Sequence, residues 1–399
     1  MNLVFVDSSP RAFGTEQHFI DLATSCHHLG HRVVAVVRAM SPTAELLERA
    51  GVEVRATPFR GGADPRAMIT AFKAIREIRA EWLVTPHQKH FLPLYVLARL
   101  TGTRLAVFRH MVYVNSWSMR VVFPRLVDRF FVVSNYALEA LVEAGAPRSR
   151  LTRLYNPIDL QRFQPDAALR AQIRNELELP PGTLLVGFVG RHEWPKGVRI
   201  LREALFQAMN VQPNIHALWV GGGREWPESR AAVQASGHGA RHRFVEWSYT
   251  PENMYAALDC LVMPSLLLET FGRVVVEAQA CGVPVIASTL GGLSESFIPG
   301  QTGDVFGGKS ASTLAEQIVS LGNDEPRRAS MRRAGLVFVR RFDSRLIVQS
   351  FLQYLRTHDD GPALAVGMKL NSGVSLRQKI HSRRATDSVS LRQRIEARK

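Results

Sequence analysis

Cysteine is scarce in this chain: Cys26, Cys260 and Cys281 are the three in 399 residues, scattered and without metal-ligand spacing. That excludes a disulfide framework and points to a reducing compartment. Long apolar runs are lacking too. No stretch reaches 18 apolar residues, so none is expected to span a membrane. The opening MNLVFVD has no basic residue ahead of its apolar run, which predicts a strand rather than a signal peptide. Acidic residues fall short of basic ones, 35 against 50, leaving a net charge of +15. Such a balance calls for a polyanionic partner: nucleic acid, an anionic membrane surface or a phosphorylated substrate. Specific nucleic-acid readout has no carrier here, since a recognition helix, a zinc site and an RNA-binding aromatic signature are all missing. An Asp-x-Asp pair between strands is missing as well.

What is present is a soluble globular composition, 46% hydrophobic and 21% charged, in a chain long enough for two domains and a tail. One unit recurs along it. Residues 3–7 read as a strand, 8–15 as a loop, 16 to 29 as a helix and 32–37 as the next strand, a βαβ opening. Strand-like runs follow at 52–56, 82–85, 104–108 and 130–134, with helices at 67–79, 92–100 and 135–143. The stretch 159–181 is polar and carries Pro165, Pro180 and Pro181, so it reads as a hinge. Strands resume at 184–190, 217–220, 244–247, 260–263 and 283–287. In an open α/β sheet, ligands gather outside the carboxyl ends of the strands.

The chemistry is densest from Pro264 to Glu295, PSLLLETFGRVVVEAQACGVPVIASTLGGLSE. A strand closes, a loop carries Glu269, and Phe271-Gly272 enters a helix that bears Val274 and Glu277 before Gly282 stops it. Glu269 in the loop and Glu277 about a turn inside the helix are expected to face one cleft. Paired carboxylates suit a polyol, because each accepts two hydrogen bonds from a vicinal diol. The helix N-terminus between them suits a phosphate. A diphosphate flanked by two polyols describes a sugar nucleotide. Either glutamate alone is as well explained by a solvated helix face or a helix cap. Upstream, Arg191 and Lys196 flank a loop between a strand end and a helix start, where two cations beside free N–H groups form a diphosphate clamp.

Glu269-x7-Glu277, the CGVPVIAS that follows and Gly291-Gly292-x-x-Glu295 together resemble the donor-binding signature of the family 4 glycosyltransferases, retaining enzymes of the GT-B fold. The resemblance spans roughly residues 1–357 and is strongest over 184–305. It implies an α/β fold of two facing Rossmann-like domains. Residues 1–165 would form the acceptor side, 166–340 the nucleotide-sugar side, and 341–360 a helix returning to the first domain. It also implies roles: Arg191 and Lys196 for the diphosphate, Glu277 for the ribose, Glu269 for the donor sugar. Phe271, Gly272 and Val274 complete that site, and the strand end at Trp247 holds the nucleobase through backbone groups. RLAVFRH resembles the family strand that ends in a histidine contacting donor sugar or phosphate, which selects His110. Phe13-Gly14-Thr15-Glu16 resembles the glycine-rich N-terminal motif, with Phe13 where a glycine is common and Gly14 left to allow close approach. His87 and His90, just past a strand end, are expected on the acceptor side.

The implied activity is retaining, metal-independent transfer of a sugar from a UDP- or GDP-sugar to a saccharide or lipid-linked acceptor, as in lipopolysaccharide or cell-surface polysaccharide synthesis. The nucleotide sugar is a substrate, and no cofactor or metal is expected. An epimerase, a hydrolase or a non-catalytic nucleotide- or carbohydrate-binding protein on the same fold are the alternatives. From 361 onward the resemblance stops. Residues 361–399 carry nine Lys/Arg against two acids and repeat a motif, VSLRQKI at 374–380 and VSLRQRI at 389–395. Such a segment has too little apolar mass to fold alone. Its charge predicts contact with an anionic membrane, and hence a cytoplasmic, peripheral location on the inner face of the plasma membrane. Arg109–Arg125, with aromatics between arginines, reads either as cleft lining or as a second interfacial patch.

Overall fold

The computed structural model describes residues 1–111, 117–247, 250–308 and 310–357. Two parallel sheets organise them. The first has seven strands: β1 (Asn2–Asp7), β2 (Arg32–Arg38), β3 (Glu53–Thr57), β4 (Trp82–Thr85), β5 (Arg104–Arg109), β6 (Arg129–Val132) and β7 (Leu151–Arg153), in the order β3-β2-β1-β4-β5-β6-β7. Helices α1 (Gly14–His28), α2 (Pro42–Arg49), α3 (Pro65–Ile78), α4 (Phe91–Thr101), α5 (Phe123–Leu126) and α6 (Asn135–Glu143) are its crossovers. The strand runs are β-branched and continuous rather than alternating because both sheet faces are covered. α3, α4 and α6 cover one face. α1 and α2 cover the other.

The second sheet has six strands: β8 (Leu184–Arg191), β9 (Ile215–Gly222), β10 (His242–Glu246), β11 (Cys260–Met263), β12 (Val285–Ala287) and β13 (Gly303–Val305), ordered β10-β9-β8-β11-β12-β13. Its helices are α7 (Ala167–Glu176), α8 (Val198–Val211), α9 (Trp226–Ala235), α10 (Pro251–Ala257), α11 (Arg273–Ala280), α12 (Ala311–Asn323) and α13 (Glu325–Phe338). A last helix, α14 (Ser344–Arg356), returns to the first lobe. There Ile347, Val348, Phe351, Leu352 and Leu355 are buried in the same cluster as Phe108 and Phe131. The architecture is GT-B: two Rossmann-like lobes with a cleft between them.

The chain crosses between the lobes twice, and the crossings lie side by side. Leu154 belongs to the first lobe's core and Ile158 to the second's. On the return, Phe342 belongs to the second and Ile347 to the first. Ile158 N–H donates to Phe342 O at 2.8 Å, and Ser344 N–H donates to Ile158 O at 2.9 Å. This corrects the hinge expected over 159–181. Much of that stretch is α7, N-capped by Asp166, whose side chain accepts from Leu169 N–H. Ile173, with Leu169 and Leu177 beside it, packs on the second lobe's core, and Arg170 and Arg174 of α7 reach Asp259 at 2.5 and 3.2 Å, which fastens the helix to that lobe.

Candidate functional site

Each lobe presents the carboxyl ends of its strands to a cleft of about 510 Å³, a size that suits a nucleotide-sized ligand. On the second-lobe side β8 runs out at Arg191 and β11 at Met263. The loop after β11 carries Glu269, and α11 begins behind Gly272, which stands at φ +99° with no side chain capping the helix. The first amides of α11 are therefore open to the cleft. The loop after β12 presses hard on this one. A Cβ at Gly292 would lie 1.9 Å from Thr270 O, and Gly291, at φ +69°, bridges to Glu269. Gly292 N–H donates to Glu269 O at 2.8 Å, which fixes the backbone under the glutamate.

Lys196 Nζ stands 2.6 Å from Glu269 Oε1, which also accepts from Ser265 Oγ at 2.7 Å. Arg191 is half exposed, 3.0 Å from Glu193. From the first lobe come Gly14, at the start of α1, and His110, just past β5. Burial holds the His110 imidazole well below its ordinary pKa, and the neighbouring His18 and His87 add to the shift, so the ring is neutral. Its Nε2 is buried without a partner among the described residues, as is Nε1 of Trp247, which lines the cleft from the second lobe. Two unpartnered polar atoms at one cavity are groups a ligand would satisfy. Thr270 Oγ donates to His110 O at 2.7 Å, tying the glutamate loop to the histidine across the cleft.

Nine of the ten residues expected at the donor site thus line one cleft: Gly14, His110, Arg191, Lys196, Trp247, Glu269, Phe271, Gly272 and Val274. Glu277 does not. It is 5% exposed and lies beneath the floor, accepting from Tyr255 Oη at 2.8 Å and Arg273 Nε at 2.6 Å. Burial raises its pKa, opposed by Arg273 and Tyr255. The expectation that Glu277 faces the cleft is corrected accordingly: about one turn into α11 the side chain points inward, onto Arg273 and Tyr255. Arg273, outside the expected set, ties this floor to the first lobe. Its Nη1 donates to Pro157 O at 3.1 Å and its Nη2 meets Asp21 of α1 at 2.5 Å. An arginine four residues before a glutamate in one helix is a readable signal; its partner Asp21 is not.

The histidine expectations also change. His90 is fully buried, with Nδ1 on Gly62 O at 2.9 Å and Nε2 on Ser8 Oγ at 2.8 Å, so neither nitrogen is left for an acceptor. His87 Nε2 sits 2.9 Å from Asp7 and 3.1 Å from Glu16. Burial works against its charge, yet the two carboxylates lift its pKa to about 9. The ring is a cationic pin under the start of α1, whose Glu16 accepts from Phe13 N–H at 2.9 Å. Two residues outside the expected set support His110: His18 packs edge-on at 4.7 Å, and Asn156 Oδ1 holds His18 Nδ1 at 2.7 Å. Glu295, expected beside the cleft, reaches across to the first lobe. There it accepts from Asn135 N–H at 2.9 Å, Tyr136 N–H at 2.8 Å and Tyr155 Oη at 2.9 Å. Of Arg109–Arg125, Arg109 is buried and donates to Gln88 at 2.8 Å, and Trp117 is exposed. Residues 112–116, like the tail, lie outside the described residues.

Two family models match the chain. Residues 13–162 match Glycosyltransferase Family 4, and residues 170–337 match Glycosyl transferases group 1. A D-inositol 3-phosphate glycosyltransferase of Nocardia farcinica is 36% identical over 218 residues, 51% of this chain and 47% of the relative. A GDP-mannose-dependent monoacylated alpha-(1-6)-phosphatidylinositol monomannoside mannosyltransferase of Corynebacterium glutamicum is 33% identical over 221 residues, 53% of this chain and 58% of that one. The chain thus spans about half the length of the relatives it matches. Among solved structures, Anabaena HepE in complex with UDP and glucose superposes with a TM-score of 0.78 at 23% identity, covering 89% of this chain and 99% of that one. WaaG, described as a glycosyltransferase involved in lipopolysaccharide biosynthesis, gives a TM-score of 0.66 at 15% identity, covering 89% of this chain and 99% of its own. Both likenesses are in fold.

Proposed function

The chain belongs to the family 4 glycosyltransferases, and from that premise we propose that it transfers a sugar from a nucleotide-sugar donor to a saccharide or lipid-linked acceptor. The transfer retains the anomeric configuration and serves lipopolysaccharide or cell-surface polysaccharide synthesis. One observation carries the reading: Arg191, Lys196, Glu269, the open start of α11 and the neutral His110 converge from two lobes on one cleft. Negative charge builds on the departing diphosphate as the glycosidic bond breaks. Preorganised cations and backbone amides are worth most there, because they need no reorganisation as the charge appears. Lys196 and Glu269 wait 2.6 Å apart. An arriving phosphate oxygen and sugar hydroxyl find the cation and the acceptor already side by side. A departing phosphate oxygen takes the acceptor's proton, so no side-chain base is required, and the two cations do the work of a divalent metal.

The donor is a UDP- or GDP-sugar. HepE was solved with UDP and glucose, and the Corynebacterium relative is named for GDP-mannose. No helix among the described residues is long and apolar enough to cross a membrane. The net +7 of residues 361–399 favours an anionic surface, which supports a peripheral place on the inner face of the plasma membrane. The test is a thermal-stabilisation screen of nucleotide sugars, then turnover with saccharide and lipid-linked acceptors in EDTA, with proton NMR of the product. Retained configuration and full activity in EDTA are expected. An inverted product, or activity restored by manganese or magnesium, would overturn the mechanism. Donor consumption that is indifferent to acceptor would favour an epimerase or hydrolase.

A further inference from the structure

Exposed large apolar side chains are not evenly spread. Of the fourteen among the described residues, five sit on two neighbouring helices: Ile69 and Phe72 on α3, Leu92, Val96 and Leu100 on α4. The two helices pack side by side on one sheet face, and the loops that lead into them are locked together. A Cβ on Gly62 would lie 2.2 Å from Lys89 O, and His90 Nδ1 bonds Gly62 O at 2.9 Å. The five side chains are 44 to 77% exposed and recur at helical spacing, so each helix turns an apolar stripe outward as well as one inward. A helix on a sheet normally shows solvent a polar face, and an outward stripe of this kind marks an interaction surface.

The charges around the stripe name the partner. Arg66, Lys73, Arg76 and Arg99 are the basic residues of the two helices, with Lys89 just ahead of α4, and all are exposed. Their one acid, Glu77, is spent on Arg55 at 2.8 Å, and of the cations Arg99 meets Asp128 at 3.4 Å. Lys73 stands four residues after Ile69, Arg76 four after Phe72, and Arg99 three after Val96, so cations and apolar groups share one outward face. A soluble partner complementary to this face would need an apolar surface ringed with acids. An anionic bilayer offers both at once, phosphates at the rim and hydrocarbon beneath. We propose that the α3–α4 face docks the protein on an anionic lipid bilayer, independently of the basic tail. The proposal rests on the membrane reading above and locates its contact. α4 starts at the carboxyl edge of the first sheet, where Gln88 meets Arg109 at 2.8 Å beside the cleft. A protein lying on this face holds its acceptor side next to the bilayer.

The test is vesicle sedimentation with phosphatidylglycerol-rich and pure phosphatidylcholine membranes, at low and physiological salt. It compares the full chain, a chain ending at Asp360, and each of these carrying Ile69→Ser, Leu92→Ser, Val96→Ser and Leu100→Ser. Every buried cluster among the described residues lies within residues 3–355, so the shortened chain keeps these cores whole. The four serines replace exposed groups, so the melting temperature should hold. Both parents should bind phosphatidylglycerol vesicles, and the serine variants should bind about tenfold more weakly or worse. Equal binding by variant and parent overturns the proposal. So does binding by the full chain alone, which would give adhesion to the tail and leave the membrane reading standing. Binding by no chain removes both. A dimer of the parent that the serines dissociate, with vesicle binding unchanged, would assign the face to a second copy instead.

Discussion

Glu277 and Arg273 show how a residue can be legible in type and not in place. The eight-residue spacing from Glu269 marks both glutamates, and it says nothing of the rotation that turns Glu277 under the cleft floor. A surface carboxylate tolerates alanine; this one does not. Glu277→Ala strips Arg273 of one of its two acids and leaves Tyr255 Oη without its acceptor. We expect a loss of about 3 kcal/mol in urea unfolding, whereas Glu277→Gln keeps an oxygen for Arg273 and loses much less. Equal destabilisation by the two variants would contradict this account. A second consequence concerns pH. His87 is lifted from 6.5 to about 9 by Asp7 and Glu16, so its contribution to stability is complete below pH 6.5 and lost as pH rises through about 9. His18 and His242 are lowered to about 3, and His90 and His192 to about 4, chiefly by burial. Their contribution is complete above 6.5 and lost as pH falls through those values. Melting temperature against pH should therefore peak between the two limbs. His87→Gln should flatten the alkaline limb and leave the acid one; an unchanged alkaline limb would rule out the pin.

At the scale of elements, strands were the most readable, because parallel strands buried on both faces are continuous β-branched runs. α7 was hidden. Ile173 is its one buried apolar residue, and Arg170 and Arg174 hold it through Asp259, a partner nearly ninety positions away in the chain. β13 is three residues long, too short for any periodicity to mark it. The proline-rich stretch ahead of β8 signals exposure, which a helix on a lobe's surface shares with a junction. α6 depends on a residue from the other lobe. Ser134 caps it through Ala137 N–H, and Glu295 takes the two amides that precede. Glu295→Ala removes that carboxylate from a helix N-terminus and should lower stability by about 1–2 kcal/mol. Faster hydrogen exchange confined at first to the Asn135 and Tyr136 amides would identify the cap. Uniform exchange across both lobes would mean that Glu295 acts by some other route.

The whole molecule was legible as two α/β lobes, since strand–loop–helix units recur on both sides of the chain's middle. Where the lobes join was not, because a junction is defined by which core each residue enters, and Leu154 and Ile158 read alike as apolar residues. α14 has the larger consequence. It buries five apolar side chains on the first lobe, a contribution of about 10 kcal/mol as an upper figure. The Phe351 ring packs tilted at 5.8 Å from Phe108 and 5.5 Å from Phe131, residues of β5 and β6 made long before it. A ribosome makes β7 and then about two hundred further residues before that helix exists. At 5–20 residues per second this takes roughly 10–40 s. Throughout that interval the second lobe is being translated while Phe108 and Phe131 stand uncovered at one face of the first. That face stays open until Ser344–Arg356 has been made, and a chain that stops short of residue 344 lacks the helix that closes it.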